Sequence, residues 1–181
     1  MADVNQLISD FYRVAQERDF ARDFQFRVLS ITTGDTGVTF DENDLVYVRT
    51  ATVPARAITN KAVPFMGLNF NVPGNAVYPN SEAYSLEFYC DAQSKIRQKF
   101  EDWSRDTFND ANSTGNYFTP KQNSTIDLVQ LDSKLNRVAQ YKLVGVSVRE
   151  VGALQYNIAE GTGETVKFTA TVSYHYWSRV S

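Results

Sequence analysis

The chain has 181 residues, 43% of them hydrophobic and 22% charged, which suits one folded domain with a real core and excludes wholesale disorder. Lys and Arg total 18 against 21 for Asp and Glu, a formal net charge of −3, and the cations are scattered, so the basic face of a dedicated nucleic-acid binder is missing. The opening Met1-Ala2-Asp3 lacks the character of a signal peptide, no apolar run is long enough to span a bilayer, and Cys90 is the single cysteine, so a protein retained in a reducing cytoplasm is expected.

In chain order, Asp3 is the expected N-cap of a helix running to about Gln16, with Val4, Leu7, Ile8, Phe11 and Val14 on one stripe. Phe24 to Thr32 changes to a period of two, Phe24, Phe26 and Val28 alternating with Gln25, Arg27 and Leu29, and predicts a strand. Thr33 to Asp44 is rich in Gly, Thr and Asp and reads as a polar excursion without fixed structure. Leu45 to Val53 and Phe65 to Val72 are extended segments, bounded by Pro54 and by Pro73-Gly74, and together predict a long hairpin.

Tyr84 to Asp91 alternates again, with Tyr84, Leu86, Phe88 and Cys90 on the expected buried face. A second helix follows from the expected cap Ser94 to about Asn109, with Ile96, Phe100, Trp103 and Thr107 on one face and Lys95, Arg97, Lys99, Glu101 and Asp102 elsewhere. Ala111 to Asn123 predicts a loop, Ser124 to Asp132 and Val138 to Val151 two strands, and Val166 to Trp177, after the Gly161-Thr162-Gly163 turn, the most regular strand of the chain. This order predicts a mainly β, antiparallel barrel or sandwich, with an N-terminal helix and one mid-chain helix packed on the outside of the barrel.

Catalytic constellations are missing. His175 is the lone histidine and falls inside the last alternating strand, where a strand-face or packing role is expected, and Cys90 reads as a small core hydrophobe. One His and one Cys far apart do not make a zinc site, there is no phosphate-binding loop, and Asp41, Glu42 and Asp44 lack the spacing of a calcium loop. No enzyme activity, cofactor or metal is expected.

Several segments carry a resemblance when taken in order: Asp19-Phe20-Ala21-Arg22; Ala51-Thr52-Val53-Pro54-Ala55-Arg56; Val63-Pro64-Phe65-Met66-Gly67-Leu68-Asn69-Phe70-Asn71-Val72-Pro73-Gly74; Tyr84 to Asp91; Ile96 to Trp103; and the closing Tyr174-His175-Tyr176-Trp177. This series resembles the tail tube protein family of T-even-like contractile bacteriophages, over roughly residues 18–110 and 141–177. The resemblance implies a single tail-tube-like domain over 1–181, with an N-terminal helical arm at 1–17 and a stacking hairpin at 54–78. It also implies hexameric rings stacked into the inner tube of a contractile tail. The implied partners are further copies of the chain, a tail sheath protein, baseplate tube-initiating proteins and viral DNA passing without sequence-specific binding. No membrane is involved, and the location is the virion, assembled in the host cytoplasm.

A ring of six subunits giving four strands each would enclose a backbone diameter of about 48 Å, leaving a bore of roughly 38 Å once side chains are subtracted. That admits a duplex. Pro54, Phe65, Met66 and Tyr78 make the hairpin more apolar than a solvated one should be, and with Arg56 and Lys61 they are expected at subunit contacts. Asp41, Glu42 and Asp44 are expected in an exposed loop that meets Arg56 and Lys61 of a neighbouring copy. The alternatives are a baseplate or tube-initiating paralogue, and the tube protein of a contractile injection or secretion system.

Overall fold

The computed structural model describes residues 4–115 and 122–180, so the Asp3 cap and part of the 111–123 loop lie outside the described residues. The elements run α1 (Val4–Arg18), β1 (Phe26–Thr33), α2 (Glu42–Leu45), β2 (Val48–Thr50), β3 (Ala57–Phe65), β4 (Leu68–Val77), β5 (Tyr84–Tyr89), α3 (Lys95–Thr107), β6 (Phe108–Asn109), β7 (Thr114–Gly115), β8 (Ser124–Leu131), β9 (Arg137–Val144), β10 (Ser147–Val151), β11 (Lys167–Ser173) and β12 (Tyr176–Val180). Two four-stranded antiparallel sheets form the body, one ordered β1-β8-β9-β12 and the other β10-β11-β5-β2. The mainly β, antiparallel expectation holds.

Alternation built the sheets where it was expected. In β5, Tyr84, Leu86 and Phe88 are buried while Ser85 and Tyr89 are exposed, and in β11 Phe168, Ala170 and Val172 are buried. These residues meet Val28, Ile31, Ile126, Leu128 and Leu143 of the other sheet in one core, as two amphipathic sheets must bury their apolar faces against each other. A bulge between Val28 and Ser30 resets the register of β1, so that Ile31 and Thr33 are buried, whereas Phe24, expected on the inner face, precedes the strand and is exposed.

The most regular sequence stretch is two strands. Its alternation is interrupted at Tyr174-His175, where the chain leaves the second sheet as β11 and enters the first as β12. The segment expected as one strand over Val138 to Val151 is divided in the same way, β9 belonging to the first sheet and β10 to the second, with Gly145-Val146 between. The crossings lie side by side: the His175 amide donates to the Val144 carbonyl at 2.9 Å, and the Gly145 amide to the Ser124 carbonyl at 3.0 Å. Burial changes parity at the His175 crossing: Phe168, Ala170, Val172 and Tyr174 are buried before it, and after it Tyr176 is exposed while Trp177 is half-buried.

Helix α3 is placed as expected along the chain, and Ile96, Phe100 and Trp103 are its buried residues. It packs against the β body through these residues, as expected. Its apolar face enters the core, where Phe100 contacts Phe40, Phe88, Trp103 and Phe168. Ser94 is at the N-cap position but makes no side-chain cap and has φ +53°. The Asp91 carboxylate caps the helix instead, accepting from the Lys95 amide at 3.0 Å and the Ile96 amide at 3.3 Å.

The polar excursion has a structure after all. Thr33 Oγ1 donates to the Val38 carbonyl at 2.6 Å, and Asp41 and Asp44 form a reciprocal capping box on α2. The long hairpin is also differently composed. β3 pairs with β4 around the Met66-Gly67 turn, while Leu45 to Val53 divides between α2 and β2, which joins β5. Pro73 and Gly74 sit within β4 beside the bulge between Ile58 and Asn60, not at the turn. Pro73 is tolerated there because a two-stranded ribbon leaves it at an edge.

Candidate assembly surfaces

Cross-strand pairing decides what the β3–β4 hairpin presents. Phe65 stands opposite Leu68, Val63 opposite Phe70 and Lys61 opposite Val72, so these side chains share one face. Pro64 with Asn69, Ala62 with Asn71 and Asn60 with Pro73 form the other. One face is therefore apolar and the other rich in asparagine. Among the described residues nothing covers the apolar face: Val63, Phe65, Leu68 and Phe70 are exposed, and Met66 at the turn is 88% exposed.

The hairpin's base is built into the body. Trp177 on β12 donates its indole N–H to the Ala55 carbonyl at 3.0 Å, and its ring meets Tyr78 and Tyr141 edge-on. Pro54 is buried and Tyr78 is half-buried. These two candidates thus belong to the subunit's own packing, and the correction follows from where the chain leaves the core. Arg56, Lys61, Phe65 and Met66 are exposed and available to a partner. Trp177, which positions the hairpin, carries no sequence signal for this role beyond its place in an aromatic strand.

The acidic candidates separate in the same way. Glu42 is exposed, whereas Asp44 is buried and serves the fold. Asp41 accepts from the amides of Asn43 and Asp44 at 2.9 and 3.1 Å, Asp44 accepts from the Asp41 amide at 2.8 Å, and Lys99 of α3 donates to the same Asp44 carboxylate. The expectation of an exposed loop fails at Asp44 because its charge is neutralised inside the subunit. Arg56 and Lys61 make no ion pair among the described residues.

A second apolar surface lies on α1. Leu7, Ile8, Phe11 and Val14 form the expected stripe, yet all four are exposed. Phe20 stacks on Phe11 at 5.9 Å and is itself exposed, as is Tyr12. An amphipathic helix in a globular subunit normally turns such a stripe inward.

The remaining chemistry is structural. The Tyr84 hydroxyl donates to the Thr52 carbonyl at 2.5 Å, and burial pushes it well above the ordinary tyrosine range although that bond opposes the shift. Cys90 is half-buried beside Ser94. His175 is exposed and lies against Gly145. Among the described residues, no three His, Cys, Asp or Glu side chains are grouped to hold a metal.

No known family profile matches the sequence, and no curated protein matches it. Solved structures do. A chain of the anti-feeding prophage baseplate, six-fold symmetrised, superposes with a TM-score of 0.62 over 90% of this chain and 96% of that one, at 13% identity. The fold is that of contractile injection system components. A chain of the anti-feeding prophage cap, described as tube-terminating, shares the injection-system fold at a TM-score of 0.59, covering 91% and 93% of the two chains at 8% identity. A chain of an extracellular contractile injection system's sheath-tube complex, in its extended state, matches at 0.52 over 100% and 99%, at 9% identity. The shared fold covers 90–100% of this chain in the three matches.

Proposed function

We propose that this chain is a structural tube protein: a single tail-tube-like domain, with an arm at 1–17 and a stacking hairpin at 54–78, that repeats as hexameric rings in the inner tube of a contractile phage tail. The observation that carries this reading is a fold shared with chains of contractile particles over 90–100% of its length, combined with a hairpin whose apolar face is uncovered among the described residues. An exposed apolar face of this kind marks an interaction surface. The role is structural and not catalytic.

The remaining partners follow from the same assembly. The charged face of α3, with Lys95, Gln98, Asp102 and Arg105 exposed, is the surface offered to a sheath protein. A net charge of −3 suits a conduit through which DNA moves without being gripped. The location is the virion, and assembly takes place in the host cytoplasm.

A second reading is a baseplate or tube-terminating component, of a phage tail or of an injection particle. The higher TM-scores to the baseplate and cap chains, 0.62 and 0.59 against 0.52 for the sheath-tube complex, favour it. Negative-stain microscopy of the purified protein, with sedimentation velocity across a concentration series, separates the two. A repeating subunit gives tubes that lengthen with concentration, and a terminating component stops at single rings. A folded monomer at all concentrations would sink both.

A further inference from the structure

We infer that the apolar stripe of α1 docks on the apolar face of the β3–β4 hairpin of a second copy of this chain. The inference rests on the tube reading and names the contact that would join its subunits.

Each of the two surfaces needs a cover. A 15-residue helix is marginal in water by itself, and so is a two-stranded hairpin. Both are nevertheless fully formed here, each with its apolar side turned outward. Leu7, Ile8, Phe11 and Val14 are 42–59% exposed on the helix, and Val63, Phe65, Leu68 and Phe70 are 47–64% exposed on the hairpin. With Phe20 and Met66 included, each surface offers on the order of 500–600 Å² at these exposures, the larger part of the roughly 800 Å² that each partner buries in a standard stable interface.

The chain itself supplies the matching surface. Among the described residues, α1 and the β3–β4 hairpin are the two elements on which four or more exposed large hydrophobics share one face. Their charges are complementary as well. Residues 54–78 contain Arg56 and Lys61 and no carboxylate, with Lys61 on the apolar face itself. Asp10 and Glu17, seven residues apart and so on one line of the helix, border the α1 stripe. They hold only exposed pairs to Arg13, at 3.4 and 3.6 Å, which a desolvated lysine can replace.

Symmetry then selects between contacts. Hairpin on hairpin, or helix on helix, is isologous and ends at a dimer. Helix on hairpin is heterologous: each copy uses both faces, and the contact propagates into a closed ring or a stack. Helix on hairpin covers both faces of every copy with a single kind of contact, whereas either isologous contact alone leaves the other face open.

The test places the photo-reactive amino acid p-benzoylphenylalanine at position 11 of the full chain and mixes it with ¹⁵N-labelled unmodified chain under the conditions of the microscopy. Irradiation should give mixed-isotope crosslinks from position 11 to residues 61–72, and these should be lost when the labelled partner carries Phe70→Asp. Circular dichroism of that variant checks that it is folded, and Leu68→Asp provides a second disruption of the same face. Crosslinks to α1 of the labelled copy, to the hairpin of the same copy, to another element, or none at all while rings or tubes are visible, would overturn the inference and leave the tube reading standing. A folded monomer with no rings and no crosslinks overturns both.

Discussion

The indole of Trp177 donates to the carbonyl of Ala55 at 3.0 Å, so the last strand of the first sheet holds the base of a hairpin more than a hundred residues earlier in the chain. Trp177→Phe keeps an aromatic ring against Tyr78 and Tyr141 but removes the donor. The loss should cost about 1 kcal/mol in urea denaturation, and amide exchange should accelerate at Ala57 and Ile58 more than in β5. Unchanged exchange there would show that the hairpin base is held by other contacts.

Gly145 has φ +71°, and a Cβ built on it would lie 2.4 Å from Nδ1 of His175. Gly145→Ala therefore meets two costs, the left-handed backbone and displacement of the ring, for a combined destabilisation of about 2–3 kcal/mol. Adding His175→Ala removes the clash and leaves the backbone cost, so the double variant should recover roughly half of the loss. Additive effects in the double-mutant cycle would show that the ring moves aside freely.

Asp44→Ala should destabilise the subunit by about 2–3 kcal/mol, through loss of the capping box and of the Lys99 pair. Both interactions are mostly buried, the Asp44 side chain being 11% exposed. Glu42→Lys, two residues away at an exposed position, should leave the thermal midpoint within about 1 °C. Equal midpoints for the two variants would remove Asp44 from the fold's own electrostatics.

Phe100 is fully buried among four rings, and Phe100→Ala should cost about 3–5 kcal/mol. Equilibrium unfolding measures it directly. A change of a few tenths of a kcal/mol would mean that α3 does not close the core.

The hydroxyl of Tyr84 is raised above the ordinary tyrosine value of 10.0, chiefly by burial. In the fold it keeps its proton where the unfolded chain gives one up. Its contribution is complete below pH 10 and declines as pH rises from there towards the folded-state value, at about 1.4 kcal/mol per pH unit. Tyr84→Phe should lose about 1 kcal/mol at neutral pH with the Thr52 hydrogen bond. Its stability should then fall less steeply than the parent's above pH 10. Parallel slopes would show that the hydroxyl is free to ionise in the folded state.

Periodicity alone determined a great deal about this protein. Tyr84-Leu86-Phe88, Phe168-Ala170-Val172 and Ile96-Phe100-Trp103 are buried where their spacing placed them, because which residues share a face of a strand or helix is a local property of the backbone. The hairpin's exposed apolar residues were also legible, since Phe65 and Met66 have no polar periodicity to excuse them. Partnership across the chain was decided by the tertiary structure. Where the last run changes sheets at His175, the residue types give no sign of it, and the structure alone shows that Trp177 and not Tyr176 packs against the core. Asp44 and Glu42 look alike in sequence, and only the approach of Lys99 from α3 separates a buried structural carboxylate from a surface one. The stripe on α1 reads as a core-facing helix by every local rule. It faces outward in a subunit whose interior is filled from two sheets and α3.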